Sequence, residues 1–362
     1  MHKKITAILV LSLWALLAAL SWFTPAKEMS DAERRPLAQF PEVTLESVTG
    51  GKFMSEFTDY SLDQFPLRDP FRQIKSLFHY YVLGQKDNNG IYLTGGSAVQ
   101  QEYPLDQDSV AHALGRFTHI YNSYLQNADV YMAIVPDKGY YLAEEAGQLA
   151  MDYEAMFDAF RQGMPWATYV DLTAALTGED YYRTDTHWRQ ENLLEAAKTL
   201  CEAMGAETPK WEDYTVTVLD KPFYGVYYGQ AALPMDPDTI SLLESELLKS
   251  CTVYDYETGR AGNVYDLTKL EGKDLYEVYL SGSRSLLTIE NPNASADREL
   301  ILFRDSFGSA IAPLLVQGYA RVTLVDIRYI QPDLLDRFVS FEDKDVLFLY
   351  STLVLNNSKT IK

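Results

Sequence analysis

The chain has 362 residues, 47% of them hydrophobic, and a formal net charge of -20. The apolar share allows a large buried core, and the length allows one large domain or one domain with an elaboration. A charge of this sign repels phosphate backbones and argues against nucleic acid as a partner.

The N-terminus opens with His2, Lys3 and Lys4, followed by an apolar run from Ile5 to Phe23 broken only by Thr6, Ser12 and Ser21. A signal-peptide core spans about 7–15 residues, whereas a bilayer span needs about 20. Lys3 and Lys4 predict a cytoplasmic N-terminus with the rest of the chain outside. Residues 1–25 are therefore expected to be an uncleaved single-pass signal anchor. The alternative is a signal peptide cut near Ala19-Leu20-Ser21, although bulky Trp22 and Phe23 follow.

Residues 26–50, polar and proline-bearing, read as an extracytoplasmic tether. A domain is expected over 51–362. Residues 53–84 carry Phe57, Tyr60, Leu62 and Phe65 before Pro66, then Phe71, Ile74, Leu77, Phe78 and Tyr81 at helical spacing. Asn88-Asn89-Gly90 predicts a turn into a strand at 91–93. Strands at 130–135, 168–172, 300–304, 321–327 and 346–353 then alternate with helices at 108–126, 151–163, 189–204, 309–316 and 332–339. That alternation predicts an α/β sheet. Residues 206–298 break the pattern with Tyr, Gly and Asp turns. They read as a β-rich elaboration, with short strands near 213–219, 252–256, 275–280 and 285–290.

Cys201 and Cys251 form no C-x-x-C pair, and there are five histidines, so a zinc site is not expected, nor any other cofactor. A disulfide between the two cysteines is chemically allowed in an exported domain. The 26 tyrosines combine an apolar ring with a polar tip, which suits sugar faces. Tyr227 and Tyr228, in the run Phe223–Gly229, are the glycan-binding candidates. Tyrosine is equally an ordinary residue of extracellular strands.

Two blocks carry chemistry. Arg304-Asp305-Ser306-Phe307-Gly308 follows a buried-strand run and precedes a helix. A serine there sits at the carboxyl end of a sheet strand, where open α/β sheets bind ligands. Helix-start N–H groups are available to a developing oxyanion. The structural alternative is an N-cap serine. The second block is Tyr181-Tyr182-Arg183-Thr184-Asp185-Thr186-His187-Trp188. In an extended segment, residues two apart point the same way, so Asp185 reaches His187 Nδ1 and leaves Nε2 for a serine proton. The alternative is a structural histidine beside a capping carboxylate. Together the blocks supply nucleophile, base and orienting carboxylate.

Asp185-Thr186-His187-Trp188, with Tyr182-Arg183 before it, resembles the D-x-H-W signature of the DHHW family and the related alginate acetyltransferase (AlgX/AlgJ) SGNH-like domains. Glu33-Arg34-Arg35-Pro36-Leu37-Ala38, Val135-Pro136-Asp137-Lys138 and the serine block resemble further family segments, over about residues 33–357. The resemblance implies an SGNH-hydrolase-like sheet sandwiched by helices, with Ser306 as nucleophile, His187 as base and Asp185 as its orienter. It implies acetyl transfer to exopolysaccharide or cell-wall glycan hydroxyls, with a membrane-bound O-acyltransferase as acyl donor. An O-acetylesterase and a non-catalytic glycan-binding protein with a vestigial site are the other readings. Asp305, Arg304 and Phe307 are expected beside the oxyanion. Arg304 is read either as contacting an acyl or anionic sugar group or as a solvated strand-end arginine. The chain departs from the usual pattern in lacking a Gly-x-Asn on the strand at 346–352. Asn356 and Asn357 further on read as surface residues.

Overall fold

The computed structural model describes residues 2–30 and 32–362, which divide into two compact units. The first comprises residues up to 91 together with 226–235, and the second 92–225 with 236–362.

In the first unit, helix α1 (His2–Phe23) is long and apolar enough to cross a membrane, and none of its span is buried in protein. The expected tether is not simply extended. It contains a two-residue antiparallel ladder of β1 (Met29–Ser30) with β2 (Arg35–Pro36), then α2 (Leu45–Thr49) behind a Thr44–Ser47 capping box. A carboxylate–arginine cluster holds this region: Arg35 pairs with Asp63, and Glu33 with Arg68 and Arg72. The helical stretch expected at 53–84 is interrupted. Pro66 cannot continue a helix, and α3 (Lys52–Asp63) stops before it while α4 (Arg68–Leu77) starts after it.

The second unit has the expected α/β architecture. After the hairpin of β3 (Ile91–Thr94) and β4 (Ser97–Gln100) come α5 (Gln107–Ile120), β5 (Asp129–Val135), α6 (Lys138–Leu142), α7 (Tyr153–Gly163), β6 (Thr168–Val170) and α8 (Leu194–Ala203). Then follow β7 (Thr215–Phe223), β8 (Asp238–Glu244), β9 (Thr252–Asp255), β10 (Arg260–Gly262), β11 (Leu286–Glu290), β12 (Glu299–Arg304), β13 (Arg321–Val325) and β14 (Asp345–Ser351). The eight-stranded sheet runs β10-β9-β11-β13-β12-β14-β5-β6. From β13 to β6 all pairings are parallel, so the carboxyl ends of these strands share one edge.

The side-chain period of two explains the layering. Val346, Phe348 and Tyr350 of β14 pack on one face with Phe117 of α5 and Phe160 of α7. Leu347 and Leu349 pack on the other with Leu200 of α8 and Ile311 of helix Gly308–Leu315. With both faces covered, these strands have no polar side, which is why they read as continuous apolar runs.

The 206–298 region differs from expectation in two ways. β9, β10 and β11 extend the main sheet antiparallel, while β7 and β8 pair separately. The strand expected at 275–280 is instead a 3-10 turn, Leu275–Val278. Its Tyr- and Val-rich composition suits a strand, but Asp274 accepts a hydrogen bond from Tyr276 N–H and caps the turn.

Candidate active site

Ser306 lies in the turn between β12 and helix Gly308–Leu315, at the carboxyl edge of the parallel strands. The buried Asp305 builds that turn. Its Oδ1 accepts from Phe307 N–H at 3.0 Å, and its Oδ2 accepts from Ser351 N–H at 2.8 Å and Ser351 Oγ–H at 2.7 Å. Asp305 is thus a bracket between the ends of β12 and β14. Phe307 N–H is committed to it. Gly308 is required by close packing: a Cβ there would lie 2.6 Å from Arg304 Cβ.

The segment bearing Asp185 and His187 is a tight loop, contrary to the extended segment expected. Tyr181 and Trp188 form a bridge across its base, and Tyr182 N–H donates to His187 O at 3.0 Å. Asp185 Oδ1 accepts from His187 N–H at 3.1 Å, an Asx-type turn that curls the chain back on itself. The same oxygen lies 2.6 Å from His187 Nδ1. His187 Nε2 lies 2.8 Å from Ser306 Oγ. With Nδ1–H donating to Asp185, Nε2 is the acceptor of the Ser306 hydroxyl proton. Ser306 Oγ therefore faces a ring nitrogen able to accept its proton, and the loop curvature replaces the strand alternation that the spacing suggested.

Residues outside both blocks fix this loop. Asp238, buried at the start of β8, accepts from Arg183 N–H, Thr184 N–H and Thr184 Oγ–H at 3.0, 2.8 and 2.6 Å. Gly225 N–H donates to Thr184 Oγ1 at 2.9 Å. Lys138 Nζ, fully buried, donates to Tyr182 O at 2.9 Å. Burial pushes its pKa down to about 7, although the Asp185, Asp238 and Asp137 carboxylates favour its charge. Trp188 Nε1–H donates to Phe307 O at 3.1 Å, tying the histidine loop to the serine turn. Gln190 makes a second tie, from Ala310 O to Leu243 N–H. Tyr276 stacks flat on the His187 ring, with centroids 3.9 Å apart and planes at 10°. Lys138 was visible in the Pro-x-Lys segment. Asp238, Gln190 and Tyr276 carried no local signal.

Other expectations are corrected. Arg304 is not a solvated strand-end residue: it is fully buried, its Nη1 donating to Asp305 O at 3.2 Å and lying 3.9 Å from Asp326. Helix Gly308–Leu315 packs directly over its stem, so it presents no group to an acyl or sugar ligand. Tyr227, in the first unit, is buried and offers no face for stacking, while Tyr228 is half-buried. Asn356 is buried rather than superficial, donating to Glu102 and Pro104 O and accepting from Asp106 N–H. Cys201 and Cys251 are separate buried thiols, held protonated by burial with pKa values pushed up to about 12 and about 11.

Comparison with solved structures follows the same lines. Aligned with a DHHW family protein from Eubacterium siraeum, the chain has a TM-score of 0.60 at 22% identity, covering 76% of this chain and 95% of that one. Its fold is the DHHW-type fold. Bacillus cereus PatB1, solved with a sulfonyl adduct, aligns with a TM-score of 0.59 at 17% identity over 73% of this chain and 97% of that one. The O-acetyltransferase domain of Pseudomonas putida AlgJ is a looser likeness, with a TM-score of 0.47 at 14% identity, over 74% of this chain and 92% of that one. No family model and no curated protein sequence matches the chain.

Proposed function

We propose that this chain is a cell-surface O-acetyltransferase that esterifies hydroxyls of an exopolysaccharide or cell-wall glycan. The observation that carries the reading is the unbroken hydrogen-bond chain Asp185–His187–Ser306 at the carboxyl edge of the sheet. Ser306 Oγ attacks the acetyl carbonyl carbon while its proton passes to His187 Nε2. Asp185 keeps the imidazole in the right tautomer and stabilises the imidazolium. Collapse of the tetrahedral intermediate expels the donor's leaving group, which takes the proton from His187, and leaves acetyl-Ser306. A sugar hydroxyl then loses its proton to His187, attacks the acetyl carbon and departs as the ester, and Ser306 regains its proton. Ser306 N–H is assigned to the oxyanion, since Phe307 N–H is held by Asp305.

The acyl donor in this reading is a membrane-bound O-acyltransferase. The N-terminal helix is kept as a single-pass anchor, with Lys3 and Lys4 inside and the catalytic unit outside. The D-x-H-W and Asp-Ser blocks, the DHHW-type fold and the apolar, protein-free surface of α1 agree with it.

The test uses the purified full chain with a chromogenic acetyl ester, with and without glycan, beside Ser306→Ala. A sulfonyl fluoride is added in parallel, with mass spectrometry of the Ser306 peptide. Acetyl-ester turnover and sulfonylation that both vanish in Ser306→Ala, with acetyl appearing on glycan, support the reading. Release of acetate alone, glycan or not, indicates an O-acetylesterase. Turnover unchanged in Ser306→Ala removes both enzymatic readings. No turnover and no adduct in the parent chain leaves a non-catalytic glycan-binding protein.

A further inference from the structure

Helix α4 and the single wide turn that continues it, Phe78–Val82, are amphipathic the wrong way round for a water-soluble unit. The face turned into the first unit is polar. Arg68 and Arg72 reach Glu33 at 2.5 and 3.1 Å, and Arg72 also donates to Gly229 O at 2.9 Å. One turn on, buried Ser76 accepts from Asn88 Nδ2 at 2.8 Å. These three residues are spaced four apart and form one helical face.

The opposite face carries Leu67, Phe71, Ile74, Phe78, Tyr81 and Val82, again three or four apart but for the last pair. All are exposed, from 46% for Phe71 to 67% for Val82. Removing side chains of this kind from water is favourable. A contiguous apolar stripe of this kind marks a surface meant to be covered.

The chain itself indicates what covers it. Gln64, three residues before the stripe begins, is bound to Lys27: Lys27 N–H donates to Gln64 Oε1 at 2.9 Å, and Gln64 Nε2 donates to Lys27 O at 2.8 Å. Lys27 is four residues beyond Phe23, the last residue of the apolar span. Four residues reach at most about 14 Å. The headgroup layer on each side of the ~30 Å hydrocarbon core is itself about 5–7 Å deep. The stripe therefore starts at the bilayer surface whenever the span is inserted. Exposed Lys75 borders it, and Tyr81 lies within it, both suited to the membrane interface.

We propose that α4 and its continuation to Val82 lie in the outer membrane interface, apolar face down, as a second attachment beside the anchor. This inference rests on the reading of α1 as a retained anchor. The interfacial segment then fixes the first unit against the lipid surface, where a single span would leave it free to swing.

The test uses the full chain, one copy per lipid nanodisc, with a polarity-sensitive fluorophore on single introduced cysteines. Cys201 and Cys251 are buried and remain unlabelled in the folded protein. The labelled variants are Leu13→Cys in the span, Ile74→Cys in the stripe and Glu246→Cys, which is 92% exposed in the second unit. The expected result is a blue shift and quenching by nitroxide-labelled lipid at positions 13 and 74, and neither at 246. Quenching at 13 with a solvent-like, unquenched signal at 74 overturns the interfacial segment and leaves the anchor in place. A blue shift at 74 without lipid quenching means that protein covers the stripe, and also overturns it. Silence at both positions removes the anchor reading and this proposal with it.

Discussion

Asp305 holds Ser351 by two hydrogen bonds to one carboxylate oxygen, 2.8 Å from the backbone N–H and 2.7 Å from the hydroxyl, while its other oxygen holds Phe307 N–H. The residue beside Ser306 is therefore a cross-strand clamp. Asp305→Ala strands three buried donors, at about 1–3 kcal/mol for each donor left unsatisfied. Ser351→Ala removes only a hydroxyl, for about 1 kcal/mol. Urea midpoints are expected to fall in that order, and acetyl-ester turnover to fall with Asp305→Ala more than with Ser351→Ala.

Asp185→Asn keeps an oxygen for the His187 N–H and for Nδ1–H, and so the shape of the histidine loop, but removes the negative charge that stabilises the imidazolium. Where a triad aspartate is so replaced, kcat drops by about 10⁴-fold. A loss of that order, with KM for the chromogenic ester little changed and the thermal midpoint nearly retained, is the expected outcome. A loss of less than about tenfold, on that same scale, would contradict the role assigned to Asp185.

The parallel core was legible because strands covered on both faces must be apolar throughout, as in Leu300–Phe303 and Val346–Leu349. Asp185, His187 and Ser306 were legible because each lies in a short string whose residue types carry the chemistry. Their supports were not, because the partners are distant in sequence: 54 residues separate Thr184 from Asp238 and 46 separate Asp305 from Ser351. Arg304 misled for a related reason. Charge at a strand end reads as solvated, and only the packing of helix Gly308–Leu315 over its stem shows otherwise. The stripe on α4 was read as a helical face, but nothing local to it says that its apolar side points outward.

Lys138 gives a pH signature. Its folded pKa, pushed down to about 7 by burial, lies well below the 10.5 of an ordinary lysine. Between those values the unfolded chain holds a proton that the folded chain has released, so this group's contribution to stability rises with pH across that window. Below about pH 7 both states are protonated and the full cost of charging a buried amine is present. Lys138→Met has no such group. The stability of the parent chain relative to the variant is expected to increase steadily from pH 7 to about pH 10, measured by urea unfolding of both proteins. A difference independent of pH would show that Lys138 keeps its charge in the fold.

Gly225 tests how closely the orienting carboxylate is held. A Cβ at position 225 would lie 2.3 Å from Asp185 Cβ, 2.4 Å from Asp185 Cα and 2.5 Å from Thr184 O. Two of these three atoms are backbone, so no rotamer change relieves the overlap and the loop itself must move. Overpacking of this kind costs about 1–3 kcal/mol. Here the displaced atoms carry the carboxylate that lies 2.6 Å from His187 Nδ1. Gly225→Ala is therefore expected to lower kcat for the chromogenic ester far more than its fall in thermal midpoint would suggest. Ala232→Gly, at a positive-φ residue of the first unit, serves as the backbone control and leaves turnover unchanged. A Gly225→Ala protein with full turnover would mean that Asp185 can shift without consequence, against the role given to it.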